Sequence, residues 1–203
     1  MGLKDLRYAA LDVETTGLSP VDGHEIVEVG LVAFRPSGIE ERWSTLVKPG
    51  RSIPPEASAV HGIRQADVER APAIAEVLPR IESLTAGRVL VLHNAPFDLE
   101  FLTSACFRNG REPMDFPLID TLLVSRRAFP DSQGHTLTEV AARLGVAPEG
   151  AHRALPDAIT TANVWMAMLR RVENHHGVTL LLPPEIERIE RHPALADAVP
   201  VGG

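Results

Sequence analysis

Three strand-like segments follow one another closely near the start of this chain: Tyr8–Val13, Glu25–Phe34 and Glu41–Val47. Each has the length and residue types of a β-strand. "RPSG" at 35–38 supplies the turn between the second and third. Short links imply antiparallel neighbours, because a parallel pair needs a crossover of a dozen or more residues. A meander is therefore predicted. The second run alternates too weakly for a half-exposed strand, so it is expected to lie deep in the sheet.

Beyond Val47 the pattern changes. "KPGRSIPPEASAVHGI" (48–63) reads as a Pro-rich loop ending in His61-Gly62-Ile63, and Ala66 to Leu84 as helical stretches broken at Pro72 and Pro79. "RVLVLHNA" (88–95) is a fourth strand. Pro96 suits the first position of a helix that continues over Phe97–Arg108 and stops at Asn109-Gly110. "PLIDTLLVSRRAF" starts as a short strand and turns helical. In "TLTEVAARLG" (136–145), Thr136 can cap, Glu139 completes the capping box and Gly145 ends the helix. Pro156–Glu173 is the last long helix, with Ile159, Trp165, Met166 and Leu169 near one face. Three meander strands followed by alternating helix and strand give an α/β fold. Its sheet is mixed, three antiparallel strands and then parallel ones, and flanked by helices.

The chain has 203 residues, 44% hydrophobic and 23% charged, which fits one domain with its own core and a short appendage. The expected division is 1–182 for the domain and 183–203 for a tail with a short helix, "EIERIERH", and a frayed end. No apolar run reaches membrane-spanning length, and the N-terminus lacks a signal-peptide pattern. The single cysteine, Cys106, permits no internal disulfide and sits in an apolar helical pattern as core packing. These features imply a cytoplasmic protein without a membrane partner. The net charge of −7 argues mildly against nucleic acid, an objection that weakens if divalent cations occupy some of the acids.

Acids in places meant for core residues need a reason. Asp12 and Glu14 lie two apart on the first strand, so they share a face, roughly 6–7 Å apart at Cα. Such a pair can grip one hard cation, since Mg²⁺ and Mn²⁺ choose carboxylate oxygens. "TTG" follows with hydroxyls and a permissive glycine. In "HNAPFDLEFL" (93–102), Asp98 falls in the first turn of a helix, where complementing the helix dipole is by itself a sufficient role, and Glu100 reads as solvent-facing. In "HRALPDAITTANV" (152–164), Asp157 opens the last helix. Pro156 favours a helix start there, leaving His152 on the preceding loop, from which it can reach the same centre as Asp157. His24, His135 and His192 read as surface residues, and His175-His176 as a helix end. No Cys/His set has structural zinc spacing.

Taken in order, "D-x-E-T-T-G-L" (12–18), "H-N-A-x-F-D" (93–98) and "H-R-A-x-x-D-A" (152–158) resemble the motifs of the DEDD exonuclease superfamily in its histidine-bearing branch. That branch includes the epsilon proofreading subunit of bacterial DNA polymerase III. "PEASAVHGI" (55–63) is a further match, and the likeness spans roughly Tyr8 to Leu169. The resemblance implies a ribonuclease H-like fold and a two-metal 3′–5′ exonuclease releasing 5′-mononucleotides. It implies that Asp12 bridges two Mg²⁺ or Mn²⁺ ions, that Glu14 and Asp157 complete the tighter site, and that Asp98 serves the looser one through water. His152 is then the general base. Glu56 and His61 match contacts to the terminal nucleotide, with Thr15, Leu18 and Asn94 neighbouring the 3′ end. The implied partners are single-stranded or frayed 3′ ends of DNA, with a polymerase as a candidate protein partner. Two alternatives stay open: an enzyme of the same class acting on RNA or short oligonucleotides, and a catalytically inactive nucleic-acid-binding module.

Overall fold

The structure, a computed structural model, describes residues 3–150 and 152–174, together with 188–189 and 192–193. One five-stranded sheet runs in the order β3-β2-β1-β4-β5. β1 (Tyr8–Thr15), β2 (Ile26–Arg35) and β3 (Gly38–Leu46) form the antiparallel meander, and β4 (Val89–Leu92) and β5 (Leu118–Asp120) extend the sheet in parallel from β1. The mixed sheet is as expected. β2 is buried at every position except Arg35, which explains its weak alternation.

Side chains of β1 divide between two cores. Tyr8 and Ala10 face one cluster, with Trp165, Ile159 and Met168 of α7 (Ala154–Asn174) and Val140 of α6 (Leu137–Leu144). Trp165 meets the Tyr8 ring edge-on at 6.0 Å, and Tyr8 stacks on Phe34 at 5.3 Å. Ala9, Leu11 and Val13 face the other cluster, with Leu78 and Ile81 of α3 (Ile74–Thr85) and Phe101 and Cys106 of α4 (Ala95–Arg108). The period of two then places Asp12 and Glu14 on the α7 face, beyond Ala10.

Two expectations need correction. The second half of the Pro-rich segment is a helix, α1 (Pro55–His61), because Pro55 is preset for a first helical turn and Gly62 closes it at φ 75°. α2 (Gln65–Val68) and α3 are separate, but Pro79 lies inside α3 without ending it. Its missing N–H and ring clash cost about 3 kcal/mol in an isolated helix; here burial of Val77, Leu78, Ile81 and Leu84 on one face outweighs that. α5 (Thr121–Ala128) and α6 follow the expected pattern, including the Thr136–Glu139 capping box and the left-handed Gly145.

His175, His176 and most of the 183–203 tail, with the boundary at 182/183, lie outside the described residues. Within that tail Ile189 is buried in the α7-side core. Among the described residues no helix is long and apolar enough to cross a membrane.

Where α7 begins is set by Gly30 on β2. A Cβ there would lie 2.2 Å from the carbonyl carbon of Ala154 and 2.3 Å from Leu155 N. The obstacle is backbone, which no rotamer change can relieve. Gly30→Ala is expected to destabilise the chain by about 1–3 kcal/mol, the usual cost of overpacking. Denaturant melts of the full chain check this, and a midpoint equal to wild type would show that α7 does not depend on the close approach.

Candidate active site

The β1–β2 register places Asp12 opposite Gly30 and Glu14 opposite Glu28. Because Gly30 admits the start of α7, Asp157 in its first turn comes over the same end of β1. One carboxylate oxygen from each of Asp12, Glu14 and Asp157 lies within 4.8 Å of the others. Three hard oxygen donors at that spacing fit a divalent cation of the Mg²⁺ or Mn²⁺ type.

Asp98 arrives from the opposite side. The parallel β1–β4 ladder covers Tyr8 to Ala10 and goes no further. Past its end, Val13 N–H donates to Asp98 Oδ1 at 3.1 Å. Asp98 is 4% exposed and stands outside the converging trio.

Burial and mutual repulsion raise all four acids. Burial, and then repulsion from Asp98, Asp157, Glu14 and Glu28, holds Asp12 well above the ordinary carboxylate range. Glu14 is pushed up to about 7 by burial, then by Asp157 and Glu28. Asp98 reaches about 8, mainly through burial and against the pull of the Val13 N–H. Burial raises Asp157 too, opposed by backbone N–H groups of Arg153 and His152.

His152 lies outside α7, exposed, with its backbone at φ 60°. Asn94, at φ 68°, is the other non-glycine residue with positive φ among the described residues. Both sit in the sequence motifs, and such backbones collect at functional sites, where surrounding contacts fix them. At Asn94 the fixing group is Asp120 at the end of β5. Its two oxygens accept from Asn94 N and Ala95 N at 3.1 Å each, and Oδ1 also caps α5 through Leu122 N at 2.9 Å. His93 is structural, its ring paired with Thr121 Oγ1 and the His135 carbonyl, both at 2.9 Å.

The remaining candidates differ in exposure and pairing. Thr15 Oγ1 donates to Gly17 O at 2.6 Å, so its hydroxyl shapes the turn after β1. Leu18 is 86% exposed, an apolar side chain presented to solvent. Glu56 and Asn94 are exposed. His61 is 4% exposed; its Nδ1 accepts from Ile63 N at 3.0 Å, and its buried Nε2 lies by the Thr15 backbone without a well-formed hydrogen bond.

Asp120, Glu28 and Arg153 were not singled out from the sequence. A signal existed for Glu28: one acid inside the buried run "EIVEVGLVAF" needs a partner. Nothing local names that partner, Arg153, which is 125 residues away.

The raised carboxylates make stability pH-dependent in a defined direction. Without metal, the folded state keeps protons that the unfolded chain has released above its ordinary carboxylate values. The associated stability is present below those values and is lost as pH rises through about 7 for Glu14 and about 8 for Asp98. Metal-free protein is therefore expected to melt lower at about pH 8.5 than at about pH 5.5. Millimolar Mg²⁺ should raise the melting point more at the higher pH, and Asp12→Asn should flatten the metal-free slope. Equal slopes for wild type and Asp12→Asn would show that the cluster is not the source.

Comparison with known proteins agrees with this geometry. Residues 9–165 match the family model described as Exonuclease (RNase_T). The chain is 45% identical over 173 residues to a DNA polymerase III subunit epsilon-like protein of Rhodobacter capsulatus, covering 82% of this chain but 24% of that protein. It is 32% identical to the DNA polymerase III subunit epsilon of Treponema pallidum, covering 90% of this chain and 86% of that one. Among solved structures, Exonuclease X in complex with 5′ overhanging duplex DNA superposes with a TM-score of 0.65 at 28% identity, covering 90% of this chain and 98% of that one. The nuclease domain of 3'hExo, a DEDDh family member bound to rAMP, shares the fold with a TM-score of 0.73 at 21% identity, over 81% of this chain and 92% of that domain. With its family model spanning β1 to α7 and its motif acids meeting at one end of the sheet, this chain belongs to the exonuclease family, with epsilon-like relatives.

Proposed function

We propose that the chain is a metal-dependent 3′–5′ exonuclease that hydrolyses DNA from single-stranded or frayed 3′ ends and releases 5′-mononucleotides. The observation that carries this reading is the convergence of Asp12, Glu14 and Asp157 oxygens within 4.8 Å at the sheet end. Family membership and the DNA held by the Exonuclease X structure support it. Asp12, Glu14 and Asp157 would hold the tighter of two Mg²⁺ or Mn²⁺ ions, with Asp12 shared and Asp98 supporting the second. When bound, such ions lower the pKa of an attacking water and neutralise charge on the phosphate.

The protein's own groups do the rest. His152, on its exposed loop beside Asp157, takes the proton from the attacking water at a ring nitrogen. Leu18 packs against the terminal bases, and Thr15 and Asn94 border the 3′ end. Glu56 and the buried Nε2 of His61 address the terminal nucleotide from α1. A complete set of acids and histidine disfavours a catalytically inactive module. The epsilon names of the relatives support a polymerase as protein partner, with proofreading as the use of the activity. They also support a cytoplasmic location. We assign the catalytic unit to 1–182 and the remainder to a tail.

End-labelled single-stranded DNA, a mismatched duplex and matching RNA test the reading together. Label at the 3′ end should appear at once as mononucleotide, faster from DNA than from RNA, and only with Mg²⁺ or Mn²⁺ present. Chelator should stop the reaction, and Asp12→Ala should abolish it. Internal fragments as first products would refute an exonuclease, and faster loss of RNA would move the substrate to the ribonucleotide class.

His152→Ala should separate chemistry from binding. Single-turnover rate at saturating DNA and metal should fall by about 10²–10⁴-fold, the usual contribution of a positioned base. Metal and DNA affinity should stay within a few-fold. A mutant near wild-type rate would remove His152 from the mechanism.

A further inference from the structure

A fifth acid lies beside the four of the motifs, on the same sheet face as Glu14, and its charge is met by a side chain of the protein. Glu28 on β2 is directly across from Glu14 and 3% exposed. Like charges opposite one another across a strand pair are destabilising, and a buried carboxylate without a partner is costly. Both of its oxygens are engaged. Oε1 accepts from Arg153 Nη2 at 2.6 Å, and Oε2 accepts from Arg153 Nε at 2.8 Å and from Ala154 N at 3.1 Å. It is absent from the trio whose oxygens could share a cation. The fork of Arg153 matches a carboxylate in a fixed plane, a geometry that sets orientation as well as charge.

What this pairing fixes is the segment that carries His152. Arg153 follows the left-handed His152, and Ala154 opens α7. Arg153 N also donates to Asp157 Oδ2 at 3.2 Å. Two residues along β2, Gly30 lets the Ala154 and Leu155 backbone rest on the sheet. Glu28 and Gly30 thus form one dock for the start of α7, and the residues facing them on β1 are Glu14 and Asp12.

We infer that Glu28 is a positioning residue for the general base: through its three hydrogen bonds to Arg153 and Ala154 it holds the backbone before α7 in the one conformation that presents His152 to the metal site. This rests on the exonuclease reading and on His152 as base. Arg153 is half-exposed, so a phosphate contact of its own is the competing role, and it makes a different forecast.

The test is a double-mutant cycle on the full chain, in single-turnover hydrolysis of end-labelled single-stranded DNA at saturating Mg²⁺. Glu28→Gln keeps the size and the acceptor for Ala154 N but loses the charged fork. Arg153→Lys keeps the charge and loses the bidentate geometry, and as a change on the more exposed partner it guards against misfolding. Each should slow the step by about 10²-fold, the scale of a small misplacement of a reacting group. The affinities for DNA and Mg²⁺ should remain within a few-fold of wild type. In the His152→Ala background Glu28→Gln should cost nothing further, because the residue it positions is gone; a general loss of structure would add.

Additive losses would overturn the inference, as would a tenfold weaker Mg²⁺ affinity, which points to Asp157 instead. A tenfold weaker DNA affinity in Arg153→Lys would overturn it in favour of the phosphate contact. If His152→Ala is impaired while Glu28→Gln and Arg153→Lys are not, the positioning role alone falls. If His152→Ala is itself near wild type, the general-base reading falls and the positioning role with it.

Discussion

The antiparallel register between β1 and β2 is the constraint on which the site depends. It sets Asp12 against Gly30 and Glu14 against Glu28. A slip of one residue would turn the acids into the α3/α4 core and an apolar side chain toward α7. The register is held by burial on both faces: alternate residues of β1 enter separate cores, and Tyr8 is locked between Phe34 and Trp165. The same packing that makes the sheet stable therefore decides which two acids share a face. The open end of the β1–β4 ladder adds the next element, since Val13 N–H, left beyond its last paired residue, is where Asp98 attaches.

Against this frame stands an electrostatic cost. Asp12, Glu14, Asp98 and Asp157 all sit above their ordinary carboxylate range, with burial as the largest cause at each. Local stability is given up where function needs converging acids, and the surrounding cores supply it. Glu28 has a different solution to the same problem. It is more buried than its cross-strand neighbour Glu14, yet it has a guanidinium fork and a backbone N–H of its own. Adjacent acids thus divide into those whose oxygens converge and one already paired with a cationic side chain.

Local backbone geometry carries a related message. Asn94 and His152 hold left-handed conformations, each next to a carboxylate that ties down the following N–H groups: Asp120 for Asn94 and Ala95, Glu28 for Ala154. Asn and His adopt this region more readily than most residues, but preference alone does not hold them there. Each is imposed from a distant strand, which is how a strained loop can be rigid enough to aim a side chain.

Much of the fold could be read from the chain itself. Strand-length apolar runs, short links, a Thr136–Glu139 capping box and Gly145 are local signals, and the meander, α6 and the end of α4 follow from them. Asp12 and Glu14 stood out as charges on a buried strand, whereas Asp98 and Asp157, in first helical turns where acids are ordinary, were joined to them by the motif resemblance. The helix over Pro55–His61 was read as a loop because of its proline content, although a Pro start and a Gly stop were present. The place of Pro79 inside α3 was not legible, because only the buried face of α3 shows what overrides its cost. Beyond these, tertiary structure alone decided that Asp12, Glu14 and Asp157 form the close set while Asp98 stands at Val13 N, that the His61 ring is buried, and that Glu28 meets Arg153. Periodicity reports which face a residue takes, over a few residues; which distant residue shares that face depends on strand register and on where helices touch the sheet, and those are fixed only when the whole core packs.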